Sequence, residues 1–139
     1  MVIASHQGTH VRRRTFVVLL PLLLSAAPMA AIACGACVED RVAATYDHVV
    51  MTQALARHHV VVFASVASGR SGISVAHEIR RTAARSKGVD ASSVRVSEEP
   101  PALSFALDPT ASSPETALAA IQTRLRAKNV KLTIIRVAS

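Results

Sequence analysis

From residue 38 onward the apolar positions change period several times, and each change marks an element. Val42, Tyr46, Val49, Val50 and Gln53 recur at helical spacing, with Asp40, Asp47 and His48 off that stripe. The spacing predicts one helix from Val38 to about Arg57, opened by Glu39 and Asp40, where negative charge suits the helix dipole. His58-His59 interrupts it, and the β-branched run Val60–Val66 then predicts a central strand with apolar residues on both faces. After a loop containing Gly69 and Gly72, Ile73, Ala76, Ile79 and Ala83 form an inward stripe, with Arg80, Arg81 and Arg85 outward. Gly88 suits a left-handed cap at the end of that helix.

Further on, Val94 and Val96 alternate with Arg95 and Ser97 as a second strand. Pro100-Pro101 turns the chain into a third, marked by Leu103, Phe105 and Leu107. Ser113-Pro114-Glu115 combines a capping hydroxyl, a proline at the first helical position and an acid. Leu118, Ile121 and Leu125 give that helix its buried face. Val130, Leu132 and Ile134 alternate with Lys131 and Thr133 in a last strand. Helices are expected over 72–87 and 114–128.

From Val60 the predicted order is β-α-β-β-α-β, so the fold class is α+β: a ferredoxin-like antiparallel sheet of order 4-1-3-2 with an extra N-terminal helix. Right-handed crossovers place the two later helices on one face. The predicted first helix, about 28 Å long, matches the strand Val60–Ala67 at about 26 Å. A tight turn at His58-His59 would lay it antiparallel along that strand. Tyr46, Val49 and Val50 would then cover Val61 and Phe63, and Cys37 would lie within ~10–12 Å of the Ala67–Gly72 loop. A second copy of the chain could cover that face equally well.

The N-terminal quarter follows a different pattern. Arg12-Arg13-Arg14 precedes an apolar stretch from Thr15 to Leu24, and small residues run from Ser25 to Ala33. This has the layout of an export signal with an Ala31-Ile32-Ala33 cleavage pattern. At near-minimal length for crossing a bilayer, Thr15–Ala33 also fits an uncleaved anchor. Arg13-Arg14-Thr15-Phe16 resembles a twin-arginine export motif, and Ala31-Ile32-Ala33-Cys34 a bacterial lipobox that would lipidate Cys34. The expected organisation is signal peptide or anchor over 1–33, a Cys-x-x-Cys segment with its helix over 34–59, and the ferredoxin-like domain over 60–139. The expected address is the periplasm or a membrane-anchored position in the cell envelope.

Composition then removes some functions. The net charge is +7, but the leader holds three arginines and no acid, so the remaining basic excess is modest. With one Tyr, three Phe and no Trp, the chain lacks the basic-aromatic interleaving that stacks nucleic-acid bases. No catalytic set is apparent, and the chain is not expected to be an enzyme.

The chemistry concentrates in Cys34-Gly-Ala-Cys37, which holds both cysteines. A helix start favours thiolate, the soft ligand for Cu(I) or Zn(II), although Glu39 and Asp40 oppose it. Two thiolates fall short of a closed zinc site, whereas Cu(I) tolerates fewer ligands. The architecture resembles the heavy-metal-associated domains of metallochaperones and metal-transporting ATPases. That resemblance implies soft-metal binding in the loop after the first strand. Here the loop, Ala67-Ser68-Gly69-Arg70-Ser71-Gly72, has no Cys-x-x-Cys, so no ligand position carries over. Cys34 and Cys37 are the candidate metal ligands, with His77 the histidine expected nearest the loop. Partners would be a metal ion or an envelope protein, with the membrane reached through the leader. The alternative is an exported or membrane-tethered interaction module whose cysteines form a structural disulfide or carry lipid.

Overall fold

A computed structural model describes residues 37–69 and 73–139. Four strands form one antiparallel sheet: β1 (Val60–Ser68), β2 (Arg95–Glu98), β3 (Pro101–Leu107) and β4 (Val130–Ala138). The spatial order is β2-β3-β1-β4, or β4-β1-β3-β2 from the opposite edge. The described helices are α1 (Val38–Thr45), α2 (His48–Ala56), α3 (Ile73–Ala84) and α4 (Pro114–Leu125). The class is α+β.

Two apolar layers flank the sheet. On one face α3 and α4 supply Ile79, Ala83, Ala117, Leu118, Ile121 and Leu125, which pack against Val62, Ala64, Leu103, Phe105, Leu107 and Leu132. The expected core residues Val62, Ile79, Leu103, Phe105, Leu118, Ile121, Leu125 and Leu132 are all buried. Gln122 ties α4 to the sheet by accepting the Leu132 N–H through Oε1 at 2.8 Å. On the opposite face α1 and α2 bring Val42, Val50 and Ala54 onto Val61, Phe63 and Ala106. The strand with two apolar faces is therefore covered on both.

Local chemistry sets the boundaries. Ser113 caps α4 by accepting the Thr116 N–H, with Pro114 in its first turn. A short 3-10 turn, Arg126–Lys128, extends the helix to Asn129, which takes the left-handed conformation at φ 54°. Gly88 does the same after α3, at φ 79°. A Cβ there would lie 3.1 Å from Ala111 Cβ and 3.2 Å from Leu107 Cδ1, so this turn needs glycine for both space and conformation.

The expected single helix over 38–57 is two helices. Asp47 leaves the helical conformation and caps α2, accepting the Val49 and Val50 N–H groups. Its other carboxylate oxygen takes Arg95 Nε at 3.0 Å, from the far edge strand. A residue with this short acceptor side chain competes with the backbone for its own hydrogens, and here it starts a new helix. The break changes the helical phase. Val42 and Thr45, then Val50 and Ala54, face inward, while Tyr46 and Val49 are more than half exposed.

The direction of α1 also differs from expectation. Arg136, Phe63, Ser104 and Arg95 are register partners in one row crossing all four strands. Glu39 pairs with Arg136, the Thr45 carbonyl with Ser104, and Asp47 with Arg95. These contacts run α1 across the sheet, not antiparallel along β1. The lengths agree: the helical rise from Glu39 to Asp47 is about 12 Å, and three strand spacings are about 14 Å.

Candidate functional site

Cys37 opens α1 at φ −52° and ψ 159°, outside the helix proper. Its N–H donates to Asp40 Oδ2 at 3.0 Å, and its carbonyl accepts the Arg41 N–H at 3.2 Å. The thiol is free and exposed. Two residues later, Glu39 is held by the Arg136 guanidinium on β4. The two acids next to the thiol therefore have defined partners, Arg136 for Glu39 and the Cys37 backbone for Asp40. Arg41 follows one turn on, with Nε buried and lacking a hydrogen-bond partner.

Cys34 lies outside the described residues, as do the leader and loop positions 70–72. The structure therefore places one of the two candidate ligands. Cys37 does not come to the end of β1. The Glu39–Arg136 pair anchors the start of α1 opposite Phe63, five residues before Ser68, or about 17 Å of strand. The reason is the transverse course of α1, set by Asp47 and Arg95. His77 sits exposed on α3, which packs on the opposite face of the sheet from α1. His48 and His58 are exposed and His59 is half-buried. Among the described residues, no group of three or more His, Cys, Asp or Glu side chains could hold a metal ion.

Charged groups gather at the opposite end of the sheet from Ser68. Asp90 pairs with Arg57 at 2.7 Å and caps the 3-10 turn Ala91–Ser93. Its carboxyl is held below the ordinary carboxylate value first by the Ser92 hydroxyl, with smaller help from Arg57 and His59 and opposition from burial. Asp108 is lowered chiefly by the Thr110 hydroxyl and backbone N–H, and again slightly by His59. His59 Nδ1 is buried without a hydrogen-bond partner. Asp47 is lowered foremost by the Val50 N–H, then by Arg95. These carboxylates act as caps and ties between elements.

One concavity has no counterpart in the sequence pattern. A cavity of about 430 Å³ opens between α3 and the β2–β3 hairpin. Val66, Val75, Ala76, Ile79 and Val96 form its apolar lining, and Glu98 and Glu99 stand at the hairpin. Small side chains at Val75 and Ala76 beside the four-residue strand β2 leave this end of the core unsealed.

The chain matches no protein family, and no curated protein matches it. Among the described residues, no helix is long and apolar enough to cross a membrane.

Proposed function

We propose that this is an exported, non-enzymatic protein of the cell envelope whose ferredoxin-like domain presents the Cys34–Cys37 dithiol to a soft metal ion. The order of elements from β1 onward and the sheet order support the ferredoxin-like reading. The observation that carries the metal reading is the exposed, free Cys37 thiol at the start of a helix fastened to the sheet at both ends. Such a thiol is open to an incoming ion or donor protein, while its backbone is held in place. Cu(I) suits two thiolates, and Zn(II) would need further ligands from a partner.

Reduced protein is expected to take up one Cu(I) against a competing chelator. The Cys34→Ser, Cys37→Ser double variant is expected to lose that uptake, and undiminished binding by the variant would overturn the metal reading. Intact mass of the protein from its native envelope separates the other fates of the pair. Loss of two hydrogens marks a disulfide, and a large added mass marks lipid at Cys34.

A further inference from the structure

We propose that the cavity between α3 and the β2–β3 hairpin binds a small organic cation, a protonated amine with a short apolar body. Its volume of about 430 Å³ lies within the range of small-molecule sites, about 300–1,000 Å³. The sheet walls it with Val66, Val96 and Pro101, and the first half of α3 with Val75, Ala76 and Ile79. Ile79 is buried, whereas Val66, Val75, Ala76 and Val96 are only half-buried. Val66, Val75 and Val96 also pack against the core beneath α3 and α4, so the cavity continues that core outward. An apolar group seated there would take their remaining surface out of water.

The acids at the rim decide the sign of the ligand. Val96 and Glu98 stand two residues apart on β2, opposite Leu103 and Pro101 on β3. Val96 and Leu103 belong to the layer beneath α3, so strand alternation puts the Glu98 side chain on that same face, beside the cavity. Glu99 follows it at the hairpin and also lines the cavity. Glu39, Asp47, Glu78 and Asp90 each have an arginine partner. Among the described residues Glu98 and Glu99 have none, and the described lining contains no lysine, arginine or histidine. Two adjacent carboxylates at the mouth of an apolar pocket concentrate cations there and repel anions. The described lining also holds no aromatic ring to receive a quaternary ammonium, so the charged end must be held by hydrogen bonds to carboxylate oxygens. A protonated amine supplies those donors.

Full-length protein with isotope-labelled valine and isoleucine methyl groups would be titrated at neutral pH with n-hexylammonium, hexanoate and methylammonium, and methyl NMR shifts recorded. The proposal expects saturable shifts at Val75, Ile79 and Val96 with n-hexylammonium, and none at Val42 and Val50 on the opposite sheet face. Hexanoate, of equal length and opposite charge, and methylammonium, which lacks the apolar body, should leave the methyls of Val75, Ile79 and Val96 unshifted at the same concentrations. The Glu98→Gln, Glu99→Gln double variant should weaken n-hexylammonium about fivefold, the size of an exposed ion pair. Absence of saturable shifts, equal shifts on both sheet faces, or binding of hexanoate or methylammonium as tight as that of n-hexylammonium would overturn the proposal. Undiminished binding by the double variant would do the same. The three probes are compared on the unaltered protein, so the test does not depend on the variant folding. The readout involves no thiol, so its failure leaves the metal reading standing, and loss of metal binding leaves this one standing.

Discussion

Ser104 donates its hydroxyl hydrogen to the Thr45 carbonyl at 2.8 Å, joining the end of α1 to the middle of β3 across 59 residues of sequence. The carbonyl is left over because the helix breaks at Tyr46, and Ser104 is only 2% exposed. In the same row, Arg136 holds Glu39 and Arg95 holds Asp47, so three side-chain contacts fix α1 across four strands. Cys37, two residues before Glu39, is thereby set toward the β4 edge of the sheet instead of at the loop after β1.

Replacing Ser104 with Ala should strand that buried carbonyl and destabilise the protein by ~1–3 kcal/mol, with the greatest loss of hydrogen-exchange protection in α1. Chemical denaturation and exchange measurements check this. Wild-type stability in the variant would show that the tie contributes nothing.

The phase of α2 can be tested by paired truncations. Phe63→Ala should cost ~3–5 kcal/mol, because it empties the layer beneath α1 and α2. Val49→Ala should stay within about 0.5 kcal/mol, because that side chain is mostly exposed. A continuous helix burying Val49 would bring the two values together.

Gly88→Ala should lower the melting temperature. The left-handed backbone alone costs an L-residue about 1–2 kcal/mol. The added methyl would also press on Ala111 and Leu107. An unchanged melting temperature would mean that the Gly88 turn relaxes freely.

The acid limb of stability follows from Asp47, Asp90 and Asp108, each held below the ordinary value of 3.8 in the fold. The unfolded chain binds their protons more readily, so stability rises with pH through this range. Their contribution is complete above about pH 4 and is lost as pH falls through the lowered values. Thermal melts from pH 6 down to pH 2 should show this decline, and Asp108→Asn should make it shallower. An Asp108→Asn profile parallel to wild type would remove that carboxylate from the explanation.

Short-range pattern carried much of the architecture. Alternation marked β2, β3 and β4, the Ser113-Pro114 start marked α4, and Gly88 marked the turn after α3, because each depends on residues adjacent in the chain. The apolar residues on both faces of β1 also required a second covering layer, which α1 and α2 supply. The helix break was not legible in the same way. Asp47 sits at a position that suits either a solvated helix face or a cap, and its ion pair with Arg95, 48 residues away, accompanies the second arrangement. For the candidate site, the sequence determined the two cysteines, their spacing and their place before a helix. Only the tertiary structure decided where Cys37 lies, because the direction of α1 depends on pairings with Arg136, Ser104 and Arg95. Those residues share one row only after the strands have come together, and no local period records it.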